Sequence, residues 1–491
     1  MQKTKKKVVR ILLVLITAYL LLLIPDTNHS AIIKPADKPF AWNQDSVWNL
    51  LENNFAAAKK QNKSSVDYNI NKLFGKEEAI YNDIVINRIS ATDSNLNKIL
   101  SNYFNLAALV AAHPQQRDSF LFYYNKIRNS VKLQSQHWDM NDKQVRNSLY
   151  QILYGMRAAA EEVLLQTDSL PFEAAMKVKD EPSAAPFTSI FGIKVHSGYL
   201  LVSRGGAEVS ALISRGNNYP GNFSHVALIY VEEKTNLPYL IEAHIEKGVA
   251  ISSAAQYISD KKLRFMVLRP RADLKALLND PLLPHKAAKL AYAKAMQRHI
   301  PYDFKMNFYD SSAMFCSEVG SYAYKQMGIQ LWQAVSTISS QGVVNWLSAF
   351  GVENFVTQMP SDLEYDPQLS VVAEWRNPET LMKDHIDNAV MDVLLEQADK
   401  GKMITYNKWQ LPFVRIIKCW CMIKNMFGGI GMIPEGMSAT QALKNQTFVA
   451  MYNKVKKETQ AEADRFIKEN NYRPPYWQLI DLSRRAVKLG L

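Results

Sequence analysis

The 491-residue sequence predicts an α+β protein, with a central domain of short β-rich runs enclosed by helices and an all-helical region on either side. Three observations carry this. Apolar residues recur at helical spacing over residues 31 to about 170 and again beyond Pro378. Between them, runs such as Phe223–Val231 and Tyr239–Ile245 are β-rich and bounded by turn residues. Pro182-Ser183-Ala184-Ala185-Pro186 punctuates the first change of texture as a linker. With 47% hydrophobic and 21% charged residues the chain is neither mainly disordered nor a polytopic membrane protein. Three cysteines exclude a disulfide scaffold.

In chain order the first unit is a targeting segment, residues 1–30. Lys3, Lys5, Lys6, Lys7 and Arg10 precede Ile11–Ile24, a run of 14 residues without charge, Gly or Pro, closed by Pro25-Asp26. Counted from Val8, with Arg10 snorkelling, it is about 25 Å of helix, near the short limit for a membrane span. Thr27–Ala31 is a poor cleavage site and no cysteine for a lipid anchor lies nearby, so an uncleaved signal anchor is expected, with a cleaved signal as the alternative. The basic flank then puts residues 31–491 outside the cytoplasm, in the periplasm, on a single-pass anchor. Lys and Arg exceed Asp and Glu by 58 − 46 = 12, partly through this flank. No basic stripe interleaved with aromatics accompanies the excess, so no nucleic-acid partner is expected.

The second unit, residues 31–180, reads as a helical domain: Trp48, Leu50, Leu51 and Phe55, then Leu96 to Leu109, then Leu149 to Ala159 keep helical spacing, and His113-Pro114 breaks one helix. The third, residues 181–376, is the α+β domain. Its strands are Tyr199–Val202, Phe223–Val231, Tyr239–Ile245, Phe265–Leu268 and Ser370–Ala373. Asn236-Leu237-Pro238 makes a hairpin of the second and third, and Gly248 closes the third. Helices are expected around Ala207–Arg215, Lys286–Arg298 and Cys316–Met327, the last ending at Gly328. Residues 377–491 form a C-terminal helical extension.

Three residues of the α+β domain carry chemistry: His225 opening one strand, Glu242 inside the next, and Cys316 where a helix begins. A thiol at a helix start meets the positive end of the macrodipole and unpaired N–H groups, which favour thiolate. By that reasoning Cys316 is the thiol expected to alkylate first near neutral pH. An imidazole can accept and return its proton, and a carboxylate beyond the imidazole fixes the tautomer. A carboxylate inside an apolar strand is costly unless paired, which singles out Glu242. His244 shares its strand face and competes with it for the third position. Each residue type is also common in purely structural roles, so spacing alone leaves the triad open.

Ser224-His225-Val226-Ala227-Leu228-Ile229, Ile241-Glu242-Ala243, Tyr302-Asp303 and Phe315-Cys316-Ser317-Glu318 resemble, in that order, the YiiX/YaeF-like permuted papain-like amidases. These are circularly permuted NlpC-type cysteine hydrolases related to the lecithin:retinol acyltransferase-like group. His precedes Cys by 91 positions, as the permuted branch requires. Met359–Leu363 with Val371-Val372 resembles the family's closing segment, and the resemblance covers about residues 190–376. It implies a permuted papain-like fold with an antiparallel sheet and a nucleophile helix, with Cys316 as nucleophile, His225 as base and Glu242 orienting it. Relatives carry Gly-Asp where this chain has Gly198-Tyr199, which puts the opening of the cleft in question.

The resemblance implies a cysteine hydrolase cleaving an amide or peptide bond, for which cell-wall stem peptide is a candidate substrate. A lipid-directed acyltransferase or lipase with an acyl-lipid substrate uses the same triad, and a non-catalytic scaffold is a third reading. No cofactor or metal is expected. Elsewhere Cys419-Trp420-Cys421 reads as core or interface beside Phe413, Ile416 and Ile417. Asp362, Glu364 and Asp366 read as a solvated loop cluster, and Ser203-Arg204-Gly205-Gly206 as a turn or a carboxylate-binding loop. Gly428-Gly429-Ile430-Gly431 follows no strand and is no nucleotide fingerprint.

Overall fold

The computed structural model describes residues 2–26, 38–41, 45–167, 174–178, 181–190, 192–259, 262–308, 310–334, 336–338 and 340–490. The cleavage segment Thr27–Ala31 lies outside them. The N-terminal apolar run lies, as far as Leu22, in one helix, α1 (Gln2–Leu22). Among the described residues no helix is long and apolar enough to cross a membrane.

The helical domain follows as α2 (Asp45–Lys60), α3 (Lys63–Ile86), α4 (Ser94–Ala112), α5 (Arg117–Ser135) and α6 (Lys143–Leu165). Asn62, Asp93 and Asp142 cap α3, α4 and α6 by accepting from backbone N–H groups of the first turn, where the helix has no partners of its own. α4 stops where predicted: His113 N–H still bonds Leu109 O, and Pro114 has no N–H with which to continue. Tyr103 of α4 stacks on Phe120 of α5 with ring centroids 4.2 Å apart, both fully buried.

The central domain is built on a sheet. Its elements are β1 (Ala174–Lys177), β2 (Phe187–Ile190), β3 (Ile193–His196), β4 (Leu200–Gly205), α7 (Glu208–Arg215), β5 (His225–Val231), β6 (Pro238–His244), β7 (Gly248–Ser253), α8 (Ala254–Ser259), β8 (Lys262–Pro270), α9 (Lys275–Asn279), α10 (Leu283–Gln297), α11 (Cys316–Gln326), α12 (Gln341–Ala349), α13 (Asp362–Tyr365) and β9 (Leu369–Trp375). Seven strands pair in the order β1-β9-β8-β4-β5-β6-β7, every pair antiparallel, with β2-β3 as a separate hairpin. Four strands were not anticipated: β1, the β2–β3 hairpin and β7. β1 lies in the stretch read as helical domain and linker, and adds to the sheet edge beside β9. Gly248 does not end a run but starts β7: at φ +69° it turns the chain back onto β6, a conformation open to glycine without strain.

One sheet face packs Leu200, Val202, Val226, Leu228, Met266 and Leu268 against α10 and α11. One pleat further, Arg204 and Arg264 leave that apolar patch and face the helical flanks. There Glu161 of α6 pairs with Arg264, with Arg376 at 3.1 Å and with His385 at 3.2 Å. Asp384 pairs with Arg264 and lies 3.3 Å from Arg204, while Glu374 pairs with Arg128 and, at 2.5 Å, with Arg376. Every one of these side chains is almost wholly buried. Arg204 is therefore a strand residue locked to a C-terminal helix, neither a turn nor a ligand-binding loop.

The acidic cluster 362–366 is likewise buried. Glu364 pairs with Arg157, and Lys132 donates to the backbone oxygens of Glu364 (2.6 Å) and Asp366 (2.8 Å). The sequence showed charge and turn residues; the docking of α5 and α6 over them, which removes the solvent, is a long-range event.

The C-terminal helices are α14 (Pro378–Asp399), α15 (Leu411–Met426), α16 (Ala439–Asn470) and α17 (Tyr476–Gly490). α14 begins at Asn377, whose side chain accepts Glu379 N–H, with Pro378 at the first helical position. It lies almost fully buried between the sheet and α16 and α17, so the extension is part of the globule.

Candidate active site

The site grows from the β5–β6 hairpin. Asn236, at φ 56°, makes the turn, and Ala227 pairs with Glu242. One further step in that register sets His225 opposite His244, and their ring centroids are 5.7 Å apart. Alternation puts His225 and Ala227 on one face of β5 and Val226 and Leu228 on the other. Glu242 thus sits diagonally between two imidazoles.

His225 Nε2 donates to Glu242 Oε2 at 2.7 Å, and His244 Nε2 lies 3.1 Å from Oε1. His244 does not replace Glu242 beside His225: the one carboxylate meets both imidazoles. Burial alone would raise the Glu242 carboxyl, but the bonds from His225 and His244 overcome it and hold the group well below the usual carboxylate range. Burial holds His225 below its ordinary value in spite of Glu242. At neutral pH the pair is therefore an ionised carboxylate and a neutral imidazole. The proton on Nε2 points at Glu242, which leaves Nδ1 with a free electron pair.

Cys316 is the first residue of α11. The helix start is fixed from three sides. Glu318 Oε2 reaches back to accept Phe315 N–H at 2.9 Å. The loop before it is pinned by Tyr302-Asp303: Asp303 N–H bonds Met314 O at 3.2 Å, Met314 N–H bonds Pro301 O at 3.0 Å, and the Asp303 carboxylate accepts Lys305 and Asn307 N–H. On the strand side Ser361 of the closing segment accepts Phe223 N–H at 3.0 Å and donates to Phe223 O at 3.1 Å, two residues before His225. Tyr302-Asp303 and Met359–Leu363 are thus positioning segments, roles that their sequences did not disclose.

The thiol lies against the backbone on both sides of His225. Cys316 Sγ is 3.7 Å from Ser224 O, and Val226 N–H is directed at it. The hydroxyl of Ser317 and the backbone N–H groups of Ser317 and Cys316 also surround the sulfur. These donors favour thiolate, as expected of a helix start, but burial outweighs them and pushes the thiol up to about 11. Cys316 is 4% exposed, whereas Cys419 is exposed. Burial thus favours a neutral thiol at rest and works against the expectation that Cys316 alkylates first. Burial is a sum over distant packing, which local sequence does not contain.

Ser224 was passed over as a motif neighbour. Its Oγ is buried and has no hydrogen-bond partner among the described residues, next to the thiol. The Gly198-Tyr199 departure lies elsewhere: β4 pairs Ser203 with His225 and Leu200 with Leu228, so Tyr199 is at the far end of the strand from the site. A separate cavity of about 920 Å³ opens between the helical flanks, lined by residues such as Trp48, Glu162 and Trp477, and none of the three candidate residues borders it. Among the described residues no cluster of three or more His, Cys, Asp or Glu side chains could hold a metal ion.

Residues 194–373 match the model of the permuted papain-like amidase enzymes, YaeF/YiiX, of the C92 family. The chain carries a C92 domain. That family is one of cysteine amidases and peptidases, and the sheet with the helix that begins at Cys316 is its permuted papain-like fold, flanked here by helices. No curated protein matches the chain. The C92 match starts at Lys194, inside β3, and ends at Ala373, inside β9, so β1, the β2 half of the hairpin and the whole ionic cap of α5, α6 and α14 lie outside it.

Proposed function

We propose that this C92 domain cleaves an amide or peptide bond with Cys316 as nucleophile, His225 as general base and Glu242 as the residue that orients it. The observation that carries the reading is the Glu242 carboxylate held 2.7 Å from His225 Nε2, in a hairpin whose first strand lies against the Cys316 thiol. Because thiol and imidazole are both neutral at rest, the proton moves when substrate is bound. His225 Nδ1 takes it from Sγ as sulfur attacks the carbonyl carbon. The oxyanion falls among the N–H groups of Cys316 and Ser317. His225 returns the proton to the leaving nitrogen, giving a thioester, and then deprotonates the water that hydrolyses it. Glu242 keeps Nε2 protonated throughout and stabilises the imidazolium formed in each step.

Cell-wall stem peptide, an amide-rich substrate outside the cytoplasm, is the substrate class proposed. The domain would face it from the cytoplasmic membrane, tethered through α1. The basic flank before Ile11–Ile24 supports this orientation. Incubation with electrophilic probes of peptide and of lipid type, followed by mass mapping, tests the chemistry. Adduct on Cys316 from the peptide probe is expected, and exclusive reaction with the lipid probe would favour acyl transfer instead. N-terminal sequencing of protein from its native host tests the tether: a soluble chain starting near Ala31 would overturn it.

A further inference from the structure

The motif Cys419-Trp420-Cys421 belongs to a surface that the catalytic reading does not use. On α15 and its C-cap residue Phe427, Phe413, Ile416, Trp420, Ile423 and Phe427 follow one another at intervals of three and four, and so share one face. That face is turned outward: Phe413 is 62%, Trp420 66% and Phe427 85% exposed. The opposite side of α15 is satisfied, with Leu411 and Cys421 buried and Leu411 packed with Ala439 and Leu443 of α16. The stripe is therefore not a core helix waiting to fold. A patch of this kind on a folded chain marks a binding surface.

Its neighbour and its charge say what covers it. Arg415 donates to Leu22 O (3.0 Å), to Ile24 O (2.6 Å) and to Asp26 Oδ1 (2.8 Å), and Tyr19 Oη donates to Trp409 O at 3.1 Å. α15 is thus tied to the end of α1, whose Ile11–Ile16 and Leu20-Leu21 are also exposed. From residue 400 to 434 the chain has Lys400, Lys402, Lys408, Arg415, Lys418 and Lys424 and not one Asp or Glu. Apolar stripe, bases without acids, and Trp409 and Trp420 together are the chemistry of a helix lying in the interface of an anionic bilayer. A second copy of the same basic surface would repel this one.

We infer that α15 and the loop to Met432 lie in the plane of an anionic bilayer interface beside α1, as a second membrane contact. This rests on the reading that α1 engages the membrane. It also accounts for the shortness of the anchor: of the run Ile11–Ile24, the helical part Ile11–Leu22 gives about 18 Å against a core of about 30 Å. The contact is coupled to the site. His299 Nε2 and Glu435 Oε2 are 3.0 Å apart, and Gly436 packs so closely on the Phe304 ring that a Cβ there would stand 2.5 Å from it. The segment 299–304 leads into the loop that positions Cys316, so α15 sets the site's orientation at the surface.

Cys419 is the natural handle, since Cys316 and Cys421 are buried. The full chain, labelled there with an environment-sensitive fluorophore, is mixed with vesicles of phosphatidylglycerol and phosphatidylethanolamine and floated. Expected are co-flotation, a blue shift, and quenching by brominated acyl chains several-fold stronger than by aqueous iodide. Trp420→Asp with Phe427→Asp should reverse that ratio while the protein still floats. Flotation of the labelled native chain with iodide as the stronger quencher overturns this inference and leaves the α1 reading standing. Failure to float overturns both. A probe shielded from both quenchers in a chain of doubled mass assigns the stripe to a second copy and overturns the bilayer contact.

Discussion

Glu242 and Glu161 are both carboxylates buried against the same sheet, and they differ in what holds them. Glu242 is met by two imidazoles, each about one-fifth exposed. Glu161 is met chiefly by Arg264 and Arg376, sealed beneath α6 and α14, with His385 at its edge. In both cases burial alone would raise the carboxyl and the partners overcome it. A guanidinium does not release its proton, so the Glu161 cluster can only hold the flanks to the sheet. An imidazole can, so in the proposed mechanism the same burial at Glu242 orients a base. What a buried carboxylate does is decided by whether its partner titrates and whether water or substrate can reach that partner.

The largest effect expected at the imidazole side is loss of turnover in Cys316→Ala and in His225→Ala, each by about 10⁶-fold, with the double variant little worse, because residues acting as one unit are not additive. Single-turnover kinetics with unchanged circular dichroism checks this; if His244→Ala instead carried the loss, the base would be misassigned.

The comparison itself is tested by two isosteric changes. Glu242→Gln should cost about 10²–10⁴-fold in rate with little loss of stability. Glu161→Gln should cost about 3–5 kcal/mol in denaturant unfolding, because it strands buried guanidiniums, and leave the rate per folded molecule unchanged. Equal effects of both on rate would erase the distinction drawn here.

A smaller effect is the shape of the pH profile. His225 is held below 6.5 in the folded chain, so the neutral base is present above that value, and activity should fall only as pH drops below it. Cys316 stays a thiol to about 11, so activity should persist beyond pH 9, where a resting thiolate–imidazolium pair would lose its proton. The stability signs follow. The depressed Glu242 adds stability that is present above the ordinary carboxylate range and lost as pH falls towards its folded value. The raised Cys316 adds stability that is present below about 9 and lost as pH rises towards about 11.

The smallest effect is on alkylation. With iodoacetamide near neutral pH and no substrate, Cys419 should be modified before Cys316, read by peptide mass mapping. Faster reaction at Cys316 would mean that the dipole and its N–H donors outweigh burial after all.

Much of the site was legible because its signals are local. Strand alternation placed Glu242 and His244 on one face, an apolar strand made a lone carboxylate conspicuous, and Gly328, at φ +79°, followed the end of the helix that starts at Cys316 as expected. Ser361 and Asp303 were less legible, since each acts on backbone far away in sequence: Ser361 on Phe223, Asp303 on the loop before Cys316. The acidic cluster 362–366 misled for the same reason, its partners Arg157 and Lys132 lying some 200 residues upstream.

Sequence by itself determined the α+β class, the order of His before Cys, the hairpin around Asn236 and the helix start at Cys316, all set by patterns within a few turns of chain. Tertiary structure alone decided that β1 joins the edge beside β9, that Arg204 is an internal ion-pair partner, that the stripe on α15 faces outward beside α1, and that the Cys316 thiol is raised. Each of these depends on which distant segment removes solvent from a group. Periodicity and spacing say which side of a helix or strand is apolar; only packing says what stands against it.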